Sequence, residues 1–332
     1  MRARNGSFVC LYVVLGLLAT CTSARASVKP GRIDGERHSP QGPSLQGTAL
    51  PVATPGWLRG PRFVASLADG TAIEITHFGG DEMKAFVRDQ YGAQVEARNL
   101  SPKDLIGMHW NEVRCESTGE GMCTELAFRI VSVVFDGSSS TMAQAEIHGN
   151  TWLYRVEYAT RTDAGFGDWI PACASSADME MGLFVDGTWE SDGSWHSDGY
   201  TFSCTRGVIA KCAREWGYQP WLSRESVNHG QIDLQPLHLA CTRAARAEYC
   251  GDGVSYTQDG VVIDLFDIYG FNQPEPDLAF VEESTWDEHG AITVHHARIP
   301  GLSPGQCRSS ASDREPSNTA PRSPVIYVWS AP

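Results

Sequence analysis

Apolar and polar positions alternate along much of the first half of the chain. Phe63, Ala65 and Leu67 alternate as far as Asp69-Gly70, and Ile73 and Ile75 resume the alternation beyond it. That pattern predicts a β-hairpin closed by a two-residue turn. Trp152, Tyr154, Val156 and Tyr158 alternate with Leu153, Arg155 and Glu157, which predicts a strand with one face in a core, and the apolar run Glu125 to Phe135 predicts another. A helix from Gly80 to Tyr91 is expected to interrupt this part. Eight Asp-Gly dipeptides are scattered along the chain, most of them beside such runs, and that density of turn signals favours antiparallel β structure over helical or βαβ folds.

Two stretches change to a helical period. Leu237, Ala240, Cys241, Ala244 and Glu248 stand at i, i+3, i+4, i+7 and i+11, one stripe of an amphipathic helix over Leu237 to Tyr249. The other runs from Arg206 to Trp216, with Thr205 as N-cap, Gly217 just past its end, and Val208, Ile209 and Cys212 facing inward. The expected fold is mainly β, of the α+β class. A leader (1–26) and a linker (27–56) precede an N-terminal antiparallel β domain (57–164) and a disulfide-rich β domain (165–310) with two short cross-linked helices. A tail (311–332) follows, with a last strand at 324–330.

Helix geometry constrains the cysteines. A rise of about 1.5 Å per residue places Cys241 and Cys250 roughly 13 Å apart, whereas a disulfide needs Cα atoms within about 7 Å. The same spacing argues against Cys204 with Cys212. The expected bridges therefore run between the helices, as Cys212–Cys241 and Cys204–Cys250. Cys115 and Cys123 bracket a short loop and are expected to pair locally, which leaves Cys173–Cys307 by elimination.

The segments GVIAKC, WGYQPW, ACTRAARAEYCGDG and DGVVID, all between Trp169 and Cys307, resemble the bacterial ADYC domain, named for its signature tetrapeptide. Here the signature reads Ala247-Glu248-Tyr249-Cys250, with Glu where the family has Asp. The extra methylene keeps the charge, which suits an ion pair better than a tightly positioned catalytic acid. The resemblance implies a domain with no assigned activity.

At the start of the chain, Arg2 and Arg4 precede an apolar run from Phe8 to Thr20, and Ala24-Arg25-Ala26 has the form of a signal-peptidase site. This predicts export, secreted, periplasmic or at the cell surface, with cleavage after Ala26. A second reading makes Leu18-Ala19-Thr20-Cys21 a lipoprotein box with a lipid on Cys21. Cleavage after Ala26 leaves eight cysteines, an even number suited to disulfides in an oxidising compartment. It also takes the formal charge from −14 to −17 by removing Arg2, Arg4 and Arg25. Such a surface repels nucleic acid and anionic lipid, and the run is too short for a transmembrane helix. Ser27 to about Gly56, rich in Pro, Gly, Ser and Gln, is expected to be a flexible linker.

Chemistry is sparse. There is no G-x-S-x-G elbow, H-E-x-x-H helix, phosphate loop or C-x2-C pair. His295 and His296 are adjacent in a strand-like run and should face opposite ways. Oxidation of all eight cysteines would leave no thiolate nucleophile. The acidic series Asp252, Asp259, Asp264 and Asp267 offers oxygens to calcium, although Asp259-Gly260 also reads as a turn and Asp264 as the solvent side of a strand. No other cofactor is expected. The cluster with most to offer is Lys211, Arg243, Arg246, Glu248 and Asp252 with Tyr218 and Trp221: an ion-pair network orienting the helices, or a ligand cleft. Two functions follow. One is a noncatalytic secreted module that binds a protein or glycan; the other is a disulfide-stapled hydrolase with its site around Glu248 and Arg243. Finally, Phe184-Val185 with Thr188-Trp189 is echoed by Phe280-Val281 with Thr285-Trp286, predicting two hairpins whose Trp residues pack on the helices.

Overall fold

The computed structural model describes residues 59–60, 62–80, 82–115, 123–136, 151–173, 181–189, 195–251, 254–258, 261–274, 280–299 and 325–330. The leader with Cys21, the linker, Asp252, Asp259 and Cys307 lie outside them, as do the side chains of Cys115 and Cys123.

Alternation becomes strand wherever it was strong. The first sheet holds β1 (Arg59–Gly60), β2 (Phe63–Ser66), β3 (Ala72–Gly79), β4 (Glu82–Arg88), β5 (Gln94–Leu100), β6 (His109–Cys115) and β7 (Cys123–Phe135). It continues through β8 (Trp152–Thr162), β9 (Gly165–Phe166), β10 (Ile170–Pro171), β11 (Gly182–Trp189) and β12 (Trp195–Cys204). Their order is β1-β12-β11-β8-β7-β6-β2-β3-β4-β5, with β9 and β10 paired to β8, and every pairing is antiparallel. Strand pairing thus continues past residue 165. The sheet folds over on itself, so that Phe78 on β3 stacks on Phe184 of β11 at 4.9 Å. Phe63, Trp110 and Tyr200 close the aromatic core around them.

Several details differ from the reading of the sequence. The segment expected to be a helix from Gly80 to Tyr91 is strand β4, because Met83 and Ala85 alternate with Glu82 and Lys84 and their side chains are buried in the first core. The β2–β3 connection is not a two-residue turn. Leu67 N–H donates to Thr71 O, Gly70 N–H donates to Leu67 O, and Gly70 has φ 86°, which makes a three-residue loop with a bulge glycine. Nor does every Asp-Gly mark a turn. Asp186-Gly187 lies at a register shift inside β11, where Gly187 has φ 88°. The bulge sends the Asp186 carboxylate across to His77 and to the Phe78 N–H at 2.7 Å.

Helix α1 (Val208–Arg214) begins at Gly207, not at a Thr205 cap, and α2 (Gln235–Ala245) has Pro236 in its first turn, where a missing N–H costs nothing. Val208, Ile209, Cys212, Leu237, Ala240, Cys241, Ala244 and Glu248 are all buried, so both predicted stripes face inward. A small hairpin, β13 (Ser223–Ser226) with β14 (Gly230–Asp233), lies between the helices in sequence. The second sheet comprises β15 (Ile263–Asp267), β16 (Val281–Asp287), β17 (Gly290–Val294) and β18 (Ile326–Ser330), in the order β15-β18-β16-β17. Helix α1 packs Ile209, Ala210 and Ala213 on Leu153, Leu183 and Val185, the outer face of the first sheet. Helix α2 packs Leu237, Ala240 and Ala244 in a core with Leu265, Trp286 and Val328 of the second. The helical pair is therefore the layer between two sheets. Both echoed Trp residues meet this layer: Trp189 packs against His238 of α2, and Trp286 stacks at 5.6 Å on Tyr249 just beyond it.

The bridge Cys212–Cys241 joins the helices, with Cα atoms 5.9 Å apart. Two other expected bridges are corrected. Cys204 bonds Cys173, not Cys250, with Cα atoms 5.6 Å apart. Cys204 ends β12 and does not belong to α1. Strand pairing carries it to the foot of the first sheet, where its sulfur lies 3.8 Å from Ala172 O. Cys173 is thus not available to Cys307. Cys250 is also disulfide-bonded, and it lies past the end of α2, so the helical spacing invoked for it does not apply. Backbone pairing sets Cys115 opposite Cys123.

His238, fully buried in α2, has its Nε2 3.0 Å from Ile209 O of α1. Burial lowers its pKa from 6.5 to about 4. The unfolded chain therefore binds a proton first as pH falls. His238 should remove up to roughly 3 kcal/mol of stability between pH 6.5 and pH 4. Chemical denaturation across that range should show this slope in the wild type and a flatter one in His238→Gln, whose amide can keep the bond to Ile209.

Candidate functional site

The cluster singled out in the sequence divides into separate places. Glu248 is at its centre, with its side chain 1% exposed: one oxygen accepts from Arg243 Nη1 and the other from Arg246 Nη1 at 2.7 Å. Arg243 also donates to Glu288 O at 2.9 Å. Tyr218 is elsewhere. Its hydroxyl is fully buried and donates to Asp267 at 2.8 Å; burial first, then the Asp267 charge, raises its pKa well above the ordinary tyrosine value. Lys211 lies on α1, where its charge acts on Glu215, whose carboxyl burial nonetheless raises. Trp221 lies on the far side of the helical layer, with its indole nitrogen against Gly80. Of the six described residues of the cluster, the fold brings together Arg243, Arg246 and Glu248; Asp252 lies outside the described residues.

The acidic series fares similarly. Asp267 is buried and accepts from Tyr218 and from the N–H groups of Tyr269, Phe271 and Asn272 at 2.8–3.1 Å, which makes it the keystone of a turn. Asp264, expected on the solvent side, is 7% exposed and sits opposite Trp329 on β18. Among the described residues no group of three or more His, Cys, Asp or Glu could hold a metal ion. His295 is near Glu282, whereas His296 Nε2 lies 3.1 Å from Ser330 Oγ.

The end of α2 explains the signature tetrapeptide. Ala247 N–H donates to Ala244 O and Glu248 N–H to Arg243 O, the paired bonds of a Schellman helix stop. That motif requires a left-handed residue between them, and Ala247 has φ 52°, among the described residues the sole non-glycine with positive φ. Such a conformation costs an alanine about 1–2 kcal/mol, so the surroundings must over-determine it. Glu248 is clamped by two arginines and Cys250 is covalently tied. Tyr249 OH donates to Glu283 Oε1 at 2.8 Å and accepts from the Arg298 N–H at 2.9 Å.

Residues 102–300 match the ADYC domain. The chain belongs to the ADYC domain family. The match starts far upstream of Trp169, so the family unit takes in β6 to β12 as well as the helices and most of the second sheet. No curated protein and no solved structure matches the chain.

In this member of the ADYC family, two buried residues complete the site that the sequence reading missed. Arg298 donates to both Glu283 oxygens at 3.0 Å and to the carbonyls of Ala244 and Ala245 at 2.9 Å. A cation thus caps the negative end of α2 while it neutralises an acid on β16. Burial by itself would raise the Glu283 carboxyl. Arg298, with hydrogen bonds from Arg298, Ser330 and Tyr249, outweighs burial and holds it below the ordinary glutamate value. The sequence VEESTWD carries little sign of Glu283, since it also holds Glu282, Ser284, Thr285 and Asp287; its partner lies fifteen residues away and only pairing reveals it.

Arg298→Met would leave the Glu283 charge uncompensated in the interior. The expected loss is about 3–5 kcal/mol near neutral pH. Because the folded-state pKa of Glu283 is lowered, its contribution is present above about pH 4.5 and lost as pH falls through the folded value. Denaturation curves of the two proteins should therefore converge in acid, and a pH-independent difference would contradict the pairing.

Proposed function

We propose that this chain is a noncatalytic secreted or cell-surface module that binds a protein or glycan. The observation that carries this reading is the state of Glu248: the acid on which a hydrolase would rest is buried and held by Arg243 and Arg246. A general acid or base must reach its substrate within hydrogen-bond distance, and this one faces its own arginines. The disulfides support an oxidising compartment. No helix among the described residues is long and apolar enough to cross a membrane.

Trp221 is the residue through which we propose that a ligand is met. It lines a recess with Gly79, Gly80, Met83 and Trp152, a set that carries no carboxylate, histidine, cysteine or serine. Half-buried Trp rings beside glycines suit the apolar face of a neutral sugar or an aromatic side chain better than an ion. Gly80, at φ 57°, lets the indole of Trp221 settle where a Cβ would meet it at 2.6 Å.

Affinity electrophoresis in gels containing neutral polysaccharides is the direct test. The wild type should be retarded in at least one gel, Trp221→Ala at least tenfold less so, and Glu248→Gln, if folded, as much as the wild type. Equal retardation of Trp221→Ala would remove the recess from the reading. Release of reducing sugar by the wild type and not by Glu248→Gln would restore the hydrolase.

A further inference from the structure

β18 stands outside the family match, which ends at residue 300, yet it occupies the interior of the second sheet. All five of its residues pair with β15, from Ile263↔Ser330 to Asp267↔Ile326. Its other edge pairs with β16, from Val281↔Ser330 to Trp286↔Ile326. β15 and β16 have no pairing with each other. Ile326 and Val328 are fully buried in the core shared with α2, Tyr327 stacks on Phe266 at 5.2 Å, and Trp329 packs edge-on against the same ring. The core that supports the signature therefore depends on a pentapeptide that arrives last in the sequence.

We propose that the groove between β15 and β16 is a strand-binding site, and that its second occupant, besides the chain's own β18, is the β18 of another copy of this protein. Removal of the strand would uncover two facing rows of unpaired backbone groups and an apolar trough fitted to Ile326 and Val328. An extended peptide is the ligand such a trough takes, with the backbone giving affinity and alternate side chains giving register. Between the last described residue of the preceding segment, Ile299, and Val325 stand twenty-five residues, 300–324. Counting only from Cys307, the seventeen residues 308–324 extend to about 55 Å, enough to carry β18 into a neighbouring molecule. Exchange keeps every contact of the closed form. The balance between the two is then set by concentration and by the tether.

Two full-length preparations with different tags, mixed at high concentration in mild urea and returned to buffer, test this. Capture of one tag should bring down the other. An excess of the synthetic peptide Val325 to Pro332 should abolish co-capture, whereas the same peptide with Val328→Asp should compete at least tenfold less well. A full-length Val328→Asp chain that folds should accept a wild-type strand but fail to pair with itself. If that variant does not fold, the peptide competition on wild-type protein decides alone. Absence of co-capture, or co-capture that both peptides displace equally, would overturn the proposal. None of these outcomes involves Trp221 or a glycan.

Discussion

The buried contact between Arg298 and Glu283 is the constraint on which the second half of this molecule depends. A guanidinium with its side chain 1% exposed is tolerated only if its donors are met. Here they are met by one carboxylate and by two carbonyls at the end of α2. The arginine is thus counter-ion and helix cap together. It fixes where α2 stops relative to β16, and with that the place of Tyr249 and Trp286. The net stability such a pair gives is small beside what its disruption costs, because its Coulombic gain is set against the desolvation of both ions.

The helical layer translates that arrangement to the rest of the chain. Cys212–Cys241 locks α1 to α2, and α1 lies on the outer face of the first sheet. The first sheet has its own lock in Cys173–Cys204, which ties the end of β12 to the residues after β10. The two bridges act at different levels, one within the first sheet and one between the helices. The structure thus has a chain of fixed joints running from the aromatic core around Phe184, through the helices, to the sheet that β18 completes.

The family signature is best understood in the same terms. Its alanine is the left-handed residue of a helix stop, its acid bridges two arginines, its tyrosine joins a second ion pair, and its cysteine is bonded. All four side chains serve the turn itself. Glu in place of Asp at position 248 suits this role, since a longer side chain can still divide its two oxygens between Arg243 and Arg246.

By itself the sequence determined whatever depends on local period. The strand alternation at Trp152 to Tyr158 and the inward stripes of both helices, with Cys212 and Cys241 on them, follow from spacings of two or of three and four residues. The exceptions are instructive: Met83 and Ala85 have the strand period, which the glycines and charges around them obscured in the reading of Gly80 to Tyr91. Only the tertiary structure decided what depends on which strands are neighbours. It sent Cys204 to Cys173, set Glu283 beneath Arg298, separated Tyr218 and Trp221 from Glu248, and placed β18 in the middle of its sheet. The physical reason is that these contacts join residues through the order of strands in two sheets, and that order is fixed by the sum of all the pairings and not by any one segment.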